Sequence, residues 1–208
     1  MAAMNGFIAK RMPQGVRGAL EGVADELKRR GVEGEWTRKG THHLTIRYFG
    51  EIEEDEYAAV AEALREPCAA LDELPEFSVG PLFTFENGEG QTVLAARARP
   101  REDLQRLFRT VERAAVGCGA EPSEYPTYRP HVTLCYLPDG GAWGAAKREA
   151  DIPPSFGTFR IGSVDLHDRR SLEEPWKRVA VGRPRAATGY HRAASAVRRL
   201  LAGIGRGR

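Results

Sequence analysis

Two tetrapeptides of the 208-residue chain carry the side chains best suited to proton transfer: His43-Leu44-Thr45-Ile46 and His131-Val132-Thr133-Leu134. Each reads histidine, aliphatic, threonine, aliphatic. Side chains alternate across a β-strand, so each histidine shares a face with its threonine, roughly 7 Å away, while the aliphatic residues turn to the opposite face and a core. An imidazole, with a reference pKa of about 6.5, can take or give a proton close to neutral pH. Two imidazoles on opposite sides of one phosphorus, one neutral and one protonated, supply an in-line base and acid for phosphodiester chemistry without a metal. Threonine hydroxyls can donate to the non-bridging oxygens and hold the phosphate. His43, Thr45, His131 and Thr133 are therefore the candidate catalytic group, and because they lie far apart in the chain, two lobes must meet across a cleft to assemble them.

Neighbouring residues extend the site. Arg47 has the parity of His43 and Thr45, so in a regular strand it faces the cleft and can neutralise a phosphate oxygen. Trp36, Tyr48, Tyr128 and Tyr136 lie near the motifs and offer rings on which a base could stack. Lys10 is a candidate phosphate contact. His42 has the opposite parity and reads as a packing residue; His167 and His191 lack a following threonine and receive no role. Cys68, Cys118 and Cys135 are odd in number with no close-spaced pair, which points to buried thiols and not to disulfides or a zinc site.

The elements that must position this group follow from periodicity. Phe7-Ile8-Ala9 reads as a strand, and a helix opens after Pro13 with Val16, Leu20, Val23, Ala24 and Leu27 on one stripe, ending at Gly31. A brief extended piece at Trp36 leads to a strand over His43–Phe49 that Gly50 closes. Acidic residues after it favour a helix running to about Asp72, with Pro67 a break or kink. Phe77–Phe85 and Thr92–Ala98 flank Asn87-Gly88-Glu89-Gly90 as a hairpin. Leu104, Leu107, Phe108, Val111 and Ala115 mark another helix, ending near Gly117 or Gly119, and His131–Leu137 is a second alternating strand. Residues 157–168 and 176–182 read as two more strands. This order lacks the regular alternation of a doubly wound parallel sheet, so an α+β fold with mixed or antiparallel sheets and outer helices is expected.

No apolar run approaches a membrane span and the first residues carry no apolar signal core, so a cytoplasmic protein is expected. The formal net charge of +2 conceals an asymmetry. Arginines 183, 185, 192, 198, 199, 206 and 208 crowd a C-terminal segment with no acidic residue, leaving residues 4–182 net acidic. An acidic body argues against a broad nucleic-acid-coating face, so any polyanion is gripped locally. Residues 183–208 read as a basic tail, either solvated or a short helix over 190–201.

The longer runs His43-Leu44-Thr45-Ile46-Arg47-Tyr48-Phe49-Gly50-Glu51 and Tyr128-Arg129-Pro130-His131-Val132-Thr133-Leu134, with Phe7-Ile8-Ala9 and Pro13 upstream, resemble the 2H phosphoesterases. The likeness is strongest to their RNA 2',3'-cyclic phosphodiesterase or 2'-5' RNA ligase branch, and it covers roughly residues 4–182 as a single domain. It implies a bilobal, pseudo-twofold fold with both motifs in a central cleft and a metal-free phosphodiesterase; a monomer without a cofactor is expected. Such an enzyme acts on nucleotide or RNA 2',3'-cyclic phosphates or 2'-5' linkages, with reverse ligation open to it. In that family the histidines act as base and acid, and the hydroxyl residues bind phosphate. The chain continues Cys135-Tyr136-Leu137 where the RNA branch commonly has a basic residue, which leaves open small cyclic oligonucleotide signals as substrates. A non-catalytic module that binds RNA ends is a further alternative.

Overall fold

The computed structural model describes residues 3–182 apart from 73, 126, 139–142 and 170–176. Its elements are β1 (Ala3–Arg11), α1 (Gln14–Arg29), β2 (Glu35–Trp36), β3 (His43–Glu53), α2 (Glu54–Ala63), α3 (Arg65–Ala69) and β4 (Phe77–Glu86). Then come β5 (Thr92–Arg99), α4 (Arg101–Gly117), β6 (His131–Leu137), α5 (Trp143–Glu149), β7 (Thr158–Phe159), β8 (Ser163–Asp168) and β9 (Lys177–Ala180). The strands of the described residues form one sheet in the order β7-β4-β5-β6-β3-β1-β8-β9, with β2 joined to β6. Every described pairing is antiparallel.

The two motif strands lie at the centre and meet at the registered pair Leu44 and Val132. Outside β3 come β1, β8 and β9; outside β6 come β5, β4 and β7. Register repeats with order: Arg11 and Ala9 stand opposite His43 and Thr45, as Arg97 and Ala95 stand opposite His131 and Thr133. A pseudo-twofold axis through the Leu44–Val132 pair thus relates the two halves of this α+β fold.

The four motif aliphatics, Leu44, Ile46, Val132 and Leu134, enter one core with Val16, Leu20 and Leu27 of α1 and Leu104, Leu107 and Val111 of α4. Each such burial is worth about 2 kcal/mol. A one-residue slip of either strand would exchange its histidine with an aliphatic, so the core fixes which face the imidazoles occupy. At Gly34 an added Cβ would lie 2.5 Å from Cys135 Sγ, so its missing side chain lets β2 lie against β6.

Several elements differ from expectation. Strand β3 does not stop at Gly50 but runs to Glu53; Gly50, at φ 74°, is absorbed opposite Gly6 where Phe49 bulges out of register. The single helix expected after it is two, divided at Leu64. Pro67 has no N–H to give and its ring crowds the carbonyl four residues back, at the end of α2. The stretch 157–168 is split into β7 and β8, and α5 forms where no helix was expected, burying Trp143 and Ala146. The basic tail 183–208 lies outside the described residues. Among those described, no helix is long and apolar enough to cross a membrane.

Candidate active site

Both motif strands carry the same irregularity. Pairing of β3 with β1 steps from Thr45 to Arg47, passing over Ile46; pairing of β6 with β5 steps from Thr133 to Cys135, passing over Leu134. An extra residue in a strand reverses the side-chain parity beyond it. Burial therefore runs half-buried, buried, half-buried, buried, buried over both 43–47 and 131–135. His43, Thr45 and Tyr48 share the open face with His131, Thr133 and Tyr136. Extending the register by one residue either side of Leu44 and Val132 sets His43 across from Thr133 and Thr45 across from His131. Cross-strand neighbours of this kind have Cβ atoms about 5 Å apart.

The two imidazoles are held by matching contacts. His43 Nδ1 lies 2.7 Å from the Thr41 carbonyl oxygen and His131 Nδ1 lies 2.6 Å from the Arg129 carbonyl oxygen, in each case two residues back. A carbonyl can only accept, so each Nδ1 is the donor, and in the neutral ring Nε2 carries the free lone pair. The strands themselves are clamped: Tyr128 Oη donates to the Thr45 carbonyl at 2.8 Å, and Thr37 Oγ1 donates to the Thr133 carbonyl at 3.0 Å.

Aromatic rings wall the site on both sides. The Phe7 ring lies 5.1 Å from that of His43 and stacks at 5.2 Å on the buried His167. Phe85 meets His131 edge-on at 4.9 Å. Burial depresses the pKa of both catalytic candidates, each backbone hydrogen bond opposing it; His131 is lowered further by the charges of Arg129 and His43. The two imidazoles are thus within electrostatic reach of one another.

The remaining candidates separate. Arg47 does not face the site: the bulge turns it inward, where it is 5% exposed, its Nε 2.6 Å from Glu112 Oε2 and its Nη2 donating to the Glu121 carbonyl at 2.5 Å. Trp36 pairs with buried Cys135, packs against the core and lies under Lys28 of α1, so its ring is committed to the helix side. Tyr128 is 8% exposed and stacked on Phe108 at 4.8 Å, which leaves no face for a base. Lys10 pairs with Leu44, one position out of phase with Ala9 and Arg11, and burial lowers its pKa while Asp165 opposes the shift. Tyr48 is exposed on the site face, its Oη 3.1 Å from Asn5 Oδ1.

Residues not foreseen stand beside the motifs instead. Phe83 and Phe85 of β4 carry Arg97 and Arg129 on their rings, at 3.9 and 4.8 Å from the centroids. Strand periodicity puts the two phenylalanines on one face, but no local signal tells that the hairpin docks on β6.

A protein-family model described as the 2'-5' RNA ligase superfamily matches residues 18–173. The chain belongs to the 2'-5' RNA ligase superfamily. It is thereby a 2H phosphoesterase by family. An RNA 2',3'-cyclic phosphodiesterase of Thermotoga maritima is 25% identical over 171 residues, covering 78% of this chain and 88% of that protein. Among solved structures, the Thermus thermophilus protein TT0787 superposes with a TM-score of 0.65 at 18% identity, covering 86% of this chain and 98% of that one. E. coli LigT complexed with 3'-AMP gives 0.62 at 16% identity, covering 87% and 99%. These superpositions show that the superfamily member described here shares their fold.

Proposed function

We propose that the chain is a phosphodiesterase that opens nucleotide or RNA 2',3'-cyclic phosphates, or cleaves 2'-5' linkages, with His43 and His131 as the acid–base pair. The observation that carries this reading is the mirrored Nδ1-to-carbonyl contact, which leaves two Nε2 atoms on one face beside Thr45 and Thr133. For a cyclic phosphate, one neutral Nε2 takes a proton from water as its oxygen attacks phosphorus. The protonated Nε2 of the other ring gives its proton to the departing ribose oxygen, and a phosphate monoester is left. The threonine hydroxyls donate to the non-bridging oxygens, where charge grows in the transition state. Tyr48, exposed next to the first motif, and Tyr136, half-buried beside the second, are the candidate rings on the open face available to a base. The name of the Thermotoga relative and the nucleotides in the LigT complexes are consistent with this substrate class.

The test is turnover of 2',3'-cyclic mononucleotides and 2'-5' oligoadenylate in the presence of EDTA, with products read by mass. His43→Ala and His131→Ala should each lose at least about a hundredfold in kcat, the usual contribution of a general acid or base. Full activity in the double variant, or a linear product ending in a cyclic phosphate, overturns the hydrolytic reading.

A further inference from the structure

Two arginines bracket His131, and among the described residues neither has a carboxylate partner or a hydrogen-bond acceptor for its side chain. Arg97 is half-buried on β5, directly opposite His131 in register, with its guanidinium carbon 3.9 Å from the centre of the Phe83 ring. Arg129 lies two residues before His131; its carbonyl holds the imidazole and its guanidinium lies 4.8 Å from the centre of Phe85. The two rings stack on each other at 5.4 Å, and Phe85 touches His131. The result is an aromatic floor carrying two cations beside one catalytic candidate.

A guanidinium laid on an aromatic face keeps its in-plane N–H donors free, and that fork matches the oxygens of a phosphate. The equivalent places in the other half are occupied differently. Arg11, opposite His43, gives its Nε and Nη2 to the Gly40 carbonyl, and the positions matching Phe83 and Phe85 are Asp165 and His167. The pseudo-twofold is therefore broken in charge: among the described residues, the guanidinium groups of Arg97 and Arg129 on the His131 side have no acceptor, whereas that of Arg11 on the His43 side is engaged. The positive charge of Arg129 also opposes protonation of the imidazole, a cost that a bound anion cancels. In the proposed reaction the reacting phosphate lies between the two histidines, so this anion is a different group.

Taking His43 and His131 as the catalytic pair, we propose that Arg97 and Arg129 form a second phosphate subsite. The preferred substrate then carries another phosphate besides the one that reacts. That phosphate can come from the neighbouring phosphodiester of an RNA chain or from a nucleotide's own 5'-phosphate. Either separates this enzyme's preference from that for a bare cyclic mononucleoside phosphate.

The experiment compares kcat/KM for adenosine 2',3'-cyclic phosphate, its 5'-phosphorylated form, and a dinucleotide ending in a 2',3'-cyclic phosphate. The expected result is a preference of about tenfold or more for one or both of the last two, with the favoured one identifying the source of the phosphate. In Arg97→Gln and Arg129→Gln that ratio should fall toward one, and it should also fall as salt is raised. Equal kcat/KM on all three substrates, or arginine variants that lower all three alike, overturns the proposal. Binding keeps the question separate from turnover: in His131→Ala, adenosine 3',5'-bisphosphate should bind more tightly than 3'-AMP. Loss of that difference on adding Arg97→Gln supports the subsite even if no cyclic phosphate is hydrolysed, and its absence from the start counts against the subsite alone.

Discussion

The phenolic oxygen of Tyr128 donates to the carbonyl of Thr45 at 2.8 Å, tying the approach to the second motif to the backbone of the first. Tyr128 lies three residues before His131, so one side chain links the two halves at the level of Thr45, whose hydroxyl is proposed to hold the phosphate. Its stack on Phe108 at an interplanar angle of 6° fixes the ring from the other side. Burial holds its hydroxyl protonated far above the usual phenol range, so it acts as a donor at every working pH. Tyr128→Phe keeps the ring and removes the clamp. The loss of one neutral hydrogen bond, about 1 kcal/mol, should appear mainly as a fall of several-fold in kcat, with KM little changed. A variant kinetically identical to the wild type shows that the clamp does not position Thr45.

Arg47 and Glu112 form a second tie between the same parts. Glu112 Oε2 meets Arg47 Nε at 2.6 Å while Glu112 Oε1 accepts from the Ser123 amide at 2.7 Å, and Arg47 also donates to the Tyr48 and Glu121 carbonyls. Breaking a buried pair strands the remaining charge. Arg47→Met should therefore cost about 3 kcal/mol in urea unfolding, and Arg47→Met with Glu112→Leu should recover part of that loss. A double variant no more stable than the single one removes the stranded carboxylate as the cause.

How far these contacts are legible in the sequence depends on the range over which each signal acts. The alternation around His43 and His131 is local, and it puts each imidazole and its threonine on one face with the aliphatics in the core, as the structure does. The same alternation misplaces Arg47 because a β-bulge depends on the partner strand: nothing within His43–Phe49 announces that Ile46 is passed over. That bulge and its counterpart in β6 bring Tyr48 and Tyr136 to the open face, a parity that sequence spacing alone inverts. Trp36 and Tyr128 look like available rings because they precede the motifs, whereas α1 and α4, which cover them, are brought in by the tertiary fold. Phe85, Arg97 and Arg129 require the hairpin's docking on β6, a long-range pairing with no short-range trace.

The pH dependence follows from burial of the two rings. In the proposed reaction the base must be neutral and the acid protonated, and burial pushes the pKa values of both His43 and His131 below the ordinary imidazole range. In kcat/KM, which reports the free enzyme, both limbs of the bell move down and the optimum lies on the acid side of neutrality. An anionic substrate stabilises the imidazolium form, so the optimum in kcat should lie at higher pH than that in kcat/KM. A pH–rate series on one cyclic mononucleotide checks both; an alkaline kcat/KM optimum contradicts the burial of the pair.

His167 makes the fold itself sensitive to acid. It is 4% exposed, neither ring nitrogen has a hydrogen-bond partner among the described residues, and it stacks on Phe7 at 5.2 Å. Burial first, and then the neighbouring His43, lower its pKa to about 4. An unfolded imidazole titrates at about 6.5. Above that pH both states are neutral and the contribution of the buried ring is complete. Between about 6.5 and 4 the unfolded chain binds a proton that the folded one refuses, so stability falls as pH drops, by up to about 3 kcal/mol at the lower end. His167→Phe can keep the stack on Phe7 and has nothing to protonate. Urea midpoints measured from pH 7.5 to 4 should fall less steeply for that variant than for the wild type. If the two curves run parallel through this window, another group carries the acid sensitivity.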